Sequence, residues 1–139
     1  MVVKDLTEMA MPIQAAMIGT VILWFLNVVV HVKSADPANF KGEYSEVNPE
    51  KRFNPWARSA GNMVESVPLA VAILWGAIIA GGHPLALTIT ISLFTLFRVL
   101  FVVLYVNMVQ PARSLAFGFG QLSMLATGII GILGAFGIA

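Results

Sequence analysis

Arg58-Ser59-Ala60-Gly61-Asn62-Met63-Val64-Glu65 opens a run that continues through Pro68 to Ala80 without another charge. As a helix, residues 58–80 match the roughly 20 residues needed to cross about 30 Å of hydrocarbon. Arg58, Asn62 and Glu65 stand at i, i+4 and i+7, which is one helix face. A charge at bilayer depth costs about 2.5–3.5 kcal/mol on insertion scales, so an ionisable residue there is a functional hypothesis by default. An apolar helix with one polar face predicts a bundle of membrane helices around a polar pocket.

Three further apolar segments extend that reading: Pro12–Val32, Leu85–Val106 and Leu115–Ile138. All are too long and continuous for barrel strands, and only helices or closed barrels satisfy their backbone in lipid. The predicted fold class is therefore an all-α integral membrane protein, a four-transmembrane-helix bundle formed by residues 1–139 as one domain. Composition agrees: of 139 residues, 58% are hydrophobic and 11% charged, against roughly 25% charged in soluble domains. The net charge of +1 gives no reason to expect a nucleic-acid partner. Cysteine is absent, so any sulfur chemistry must come from a substrate or cofactor.

The connections are unequal. Lys33–Ala57 is predicted as a long polar loop, Gly81-Gly82-His83-Pro84 as a tight turn, and Pro111 as part of the first turn of the last helix. Lys33, Lys41, Lys51, Arg52 and Arg113 fall on the side of the first and third connections, opposite Lys4. The positive-inside rule then places the long loop in the cytosol. The expected host is an endomembrane, a mitochondrial membrane or a bacterial inner membrane. The small residues Gly120, Thr127, Gly128, Gly131, Gly134 and Ala135 mark helix contacts, either within one bundle or between subunits.

A second polar row follows on the third segment. Arg98 and Tyr105 are again i and i+7, with Phe101 and Val102 on the same face, and Arg113 follows Gln110-Pro111. Arginine offers a planar fork to carboxylates, glutamate accepts from an ammonium, and asparagine does both. The Arg58 face thus suits a zwitterionic ligand. Structural alternatives are an Arg58–Glu65 pair, an Arg98–Glu65 pair across two helices, an interfacial Tyr105 and a positive-inside anchor at Arg113. No histidine pair has ligand spacing, so no metal site is expected.

At these residues the chain resembles the MAPEG family, membrane-associated proteins of eicosanoid and glutathione metabolism. Arg58-…-Asn62-…-Glu65 is similar to the family's Arg-x-x-x-Asn-x-x-Glu pattern. Arg98-…-Tyr105-…-Gln110-Pro111-Ala112-Arg113 looks like the corresponding row and turn of microsomal glutathione transferases. The resemblance implies a homotrimer that binds glutathione between protomers. Arg58, Asn62, Glu65, Arg98 and Tyr105 would then hold the tripeptide, and Arg113 would be the catalytic cation that keeps its sulfur as thiolate. The partner would be a hydrophobic small molecule or lipid, conjugated if electrophilic or reduced if a hydroperoxide. Two departures stand out: Ser66 where some members carry tyrosine, and Phe101 where some relatives have an aromatic hydroxyl. The alternative is a non-catalytic subunit or lipid-presenting scaffold of the same fold in a larger complex.

Overall fold

The computed structural model describes residues 5–39 and 54–138. Within them lie α1 (Ala10–Ala35), α2 (Pro55–Ile79), α3 (Pro84–Val106) and α4 (Ala112–Ala135), with a short 3-10 helix, Pro37–Asn39, after α1. All four long helices are apolar and long enough to cross a membrane. Lys4, Lys41, Lys51 and Arg52, which weigh in the orientation reading, lie outside the described residues.

The helix limits differ from expectation where caps decide them. α2 begins at Pro55, three residues before Arg58, because Asn54 caps it. The Asn54 Oδ1 accepts from the backbone N–H groups of Trp56 at 3.0 Å and Ala57 at 3.2 Å, and Pro55 needs no partner at the first position. The Asn54 amide also donates to the Ser34 carbonyl at 3.0 Å, tying the start of α2 to the end of α1. Arg58 therefore lies one turn inside α2. Pro111 sits at the N-cap of α4 rather than in its first turn. That helix closes at Ala135, short of the expected Ile138. There Gly137 takes φ +70° and the Ile138 N–H donates to the Leu133 carbonyl at 2.9 Å.

The tight turn between α2 and α3 is found where expected. Gly81 adopts φ +77°, and the Gly82 N–H donates to the Ala77 carbonyl at 3.2 Å. Only a residue without Cβ takes that left-handed position freely. His83 then caps α3, its Nδ1 accepting from the Ala86 N–H at 3.4 Å.

Helix α3 packs most extensively on α4, while α1 lies against both α2 and α3. Leu23, Leu74, Leu87, Ile91 and Phe94 are fully buried between them. Small residues bring backbones together at the end opposite the long connection. A Cβ on Gly131 would stand 2.7 Å from the Ala77 Cα, and one on Gly134 would strike the Gly82 backbone. Gly120, Thr127, Gly131 and Gly134 thus serve packing within the subunit. Trp24, Phe25, Leu96, Leu122 and Leu125 turn outward, as a lipid-facing surface requires.

Candidate functional site

Alternating helix directions bring the end of α1, the start of α2, the end of α3 and the start of α4 to one end of the bundle. All six candidate residues sit at or below that end. Asn62 lies about 10 Å along α2 and Glu65 about 15 Å, at 1.5 Å per residue from Pro55.

A polar cavity of about 430 Å³ opens there, lined by Ala57, Arg58, Gly61, Asn62, Glu65 and Tyr105. Ligand pockets typically span about 300–1,000 Å³. A second cavity of about 310 Å³ adjoins it, lined by Asn62, Phe101, Tyr105, Arg113, Ser114 and Phe117. Asn62 and Tyr105 belong to both. By contrast, the groove between α1 and α3 and that between α2 and α4 have no ionisable side chain in their walls.

Arg58 and Glu65 are exposed on the isolated subunit and face one cavity, so the wall offers a cation and an anion on either side of Asn62. Glycine at position 61 keeps the floor open, since a Cβ there would meet nothing within 4 Å. Arg113 lines the second cavity. Its guanidinium lies 4.7 Å from the centroid of the Tyr105 ring. The Gln110 carbonyl oxygen, with the amide turned toward it, accepts from Nε at 3.1 Å and also from Nη2. These contacts fix the plane of the guanidinium. Its Nη1 is buried with no partner, leaving a donor for an anion.

Arg98 is placed differently. It is 2% exposed and is not among the residues that line the two cavities. Its guanidinium lies 5.6 Å from the ring centroid of Phe94, and 5.5 Å from those of Phe101 and Phe117. Nη1 donates to the Asn62 Oδ1 at 2.6 Å, while Nε and Nη2 have no partner. The interhelical partner of Arg98 is therefore Asn62, not Glu65. Cation–π attraction to three rings compensates part of the cost of burying the charge.

The arrangement can hold a zwitterion along α2 and an anion beside Arg113. Sequence reasoning missed Phe94, Phe117, Ser114, Gly61 and the bracing role of Gln110. Aromatics and a glycine inside apolar runs look like packing residues, and only the fold turns them toward the site. A model of the MAPEG family matches residues 9–133 of the chain. No curated protein and no solved structure matches it.

Proposed function

The chain belongs to the MAPEG family, and from that premise we propose that it is a membrane glutathione transferase or peroxidase. The supporting observation is the meeting of the two cavities at Asn62 and Tyr105, one zwitterion-lined and the other carrying Arg113. Glutathione lies with its charged ends against Arg58, Asn62 and Glu65. Its thiol reaches across Tyr105 toward Arg113.

A free thiol titrates near 8.5, and an adjacent cation lowers this by one or more units. The proton leaves to solvent and Arg113 stabilises the thiolate. With an aryl halide, sulfur bonds to carbon and halide departs with the bonding pair. With a lipid hydroperoxide, the thiolate attacks the distal oxygen, the O–O bond breaks and the hydroxyl passes to sulfur. The lipid leaves as an alkoxide that takes a proton from solvent to become an alcohol, and the resulting sulfenic acid condenses with a second glutathione to give disulfide and water. The protein contributes positioning and charge stabilisation.

The same site argues for assembly. Glu65 lies nearly three turns inside α2 and is exposed on the lone subunit, where lipid would be a costly neighbour. A second protomer across the α2 face removes that cost, in keeping with a homotrimer. By the positive-inside rule the site end faces the cytosol, where Lys33 and Arg113 lie.

A non-catalytic subunit of the same fold is the second reading, favoured by Phe101, which brings no hydroxyl to the second cavity. Assay of the purified protein with glutathione and either a generic aryl halide or a lipid hydroperoxide separates the two. Turnover with either supports the enzyme. Glutathione binding with no turnover on both supports the second reading.

A further inference from the structure

We propose that Arg98 is a positioning residue: from its aromatic enclosure it clamps the carbonyl oxygen of Asn62, so that Asn62 turns its amide N–H groups into the cavities and selects an oxygen of the ligand, not an ammonium. The proposal rests on the glutathione reading and deepens it, by assigning which part of a zwitterion Asn62 takes.

Asparagine is ambiguous in general, because its amide both donates and accepts. Here its orientation is determined. The Arg98 guanidinium can only donate, so the Asn62 atom 2.6 Å from Nη1 must be oxygen. The nitrogen is then left to the cavities that Asn62 lines. Arg98 cannot easily swing away, since Phe94, Phe101 and Phe117 surround it at 5.5–5.6 Å and only 2% of its surface is exposed. Backbone geometry holds the other partner: Asn62 lies about two turns inside α2, and its backbone carbonyl accepts from the Ser66 hydroxyl at 2.5 Å.

The consequence is an ordered cavity wall. Arg58, Gly61, Asn62 and Glu65 line one cavity from one helix face. With Asn62 fixed as a donor, Arg58 and Asn62 form an oxygen-binding pair one turn apart, and Glu65 is the remaining acceptor for an ammonium. The charge on Arg98 also polarises the amide it clamps, strengthening its N–H groups as donors. A ligand carboxylate or carbonyl is accepted at Asn62, and an amine is refused there. Arg98 thereby acts on the ligand without touching it.

Four variants of the full-length protein test this, each measured for thermal stability and for glutathione affinity by calorimetry. Asn62→Asp keeps an oxygen for Arg98 but removes the donor. Stability should hold or rise, while affinity falls by about tenfold or more, as for loss of a hydrogen bond to a charged group. Asn62→Leu should lose both stability and affinity. Arg98→Met should weaken binding by about tenfold, and Arg98→Lys, which can still donate to the same oxygen, should recover most of it. Esterifying the carboxylates of glutathione should cost wild type more affinity than it costs Asn62→Asp. Acetylating its amine should cost both equally. Unchanged affinity in Asn62→Asp, or equal loss in Arg98→Lys and Arg98→Met, overturns the proposal. If wild type binds no glutathione, the functional reading falls instead. The clamp is then decided by stability alone. A gap between Asn62→Asp and Asn62→Leu that vanishes in the Arg98→Met background supports it, and no gap overturns it.

Discussion

The two ends of the bundle are built on opposite rules. At the end holding the α2–α3 turn, Gly131 lies on Ala77 and Gly134 on the Gly81–Gly82 backbone, with no room for one methyl group. At the other end, Gly61 faces open space beside two cavities walled by Arg58, Glu65 and Arg113. Glycine excludes volume at one end and preserves it at the other. The packed end uses close backbone approach to hold four helices together where lipid offers no hydrophobic drive between them. The open end leaves buried donors on Arg98 and Arg113 without partners, a cost that packing alone does not explain. Close packing and polar cavities are thus separated along the helix axis, and substitutions should show it.

The largest effect is expected at Arg113. Arg113→Ala should lower glutathione-dependent turnover by about 10²–10³-fold, as for loss of one preorganised charge-stabilising donor, and change glutathione affinity far less. Steady-state kinetics beside calorimetry checks this, and a parallel fall in both would move Arg113 from catalysis to binding.

Next comes the packed end. Gly131→Val should destabilise the protein by about 1–3 kcal/mol through overpacking against Ala77. Thermal unfolding in detergent would show it, with glutathione affinity of the folded fraction retained. If affinity fell with stability, the two ends would be coupled rather than separate.

Gly61→Leu probes the open end in reverse. With nothing within 4 Å of its Cβ in the isolated subunit, the side chain should fill the polar cavity at little cost in subunit stability. Glutathione affinity should fall by roughly tenfold, the worth of about 1.4 kcal/mol. Unchanged affinity would remove this cavity from the binding site.

The smallest effect concerns the end of α3. Met108 holds φ +60°, and the Val109 N–H donates to the Leu104 carbonyl at 2.9 Å. This is the same closing motif that Gly81 and Gly137 occupy without a side chain. Met108→Gly should stabilise by up to about 1 kcal/mol by relieving the left-handed strain, seen as a small rise in unfolding temperature.

Much of this division was legible in the sequence. The spans were readable because long apolar runs in lipid have one regular solution. The Arg58, Asn62 and Glu65 row was readable because helical spacing puts it on one face, and the structure brings those three together in one cavity. The ends of the helices were less so. Asn54-Pro55 and Gly137 carry recognisable start and stop chemistry, but the apolar boundary masked it. Arg98 shows where spacing fails. It shares a helix face with Tyr105, yet Tyr105 lines both cavities while Arg98 is enclosed by Phe94, Phe101 and Phe117. Phe117 comes from α4, and no pattern along α3 reveals a neighbour from another helix. The small residues of α4 were ambiguous for the same reason, until Ala77 and Gly82 supplied the opposing surface.

The most direct measurement is the ultraviolet absorbance of glutathione thiolate during titration into the purified protein, held below the pH at which the free thiol ionises. A saturable thiolate signal in wild type that disappears in Arg113→Ala is the expected result. No signal in wild type, or an equal one in the variant, would contradict a site in which Arg113 holds glutathione sulfur as its anion.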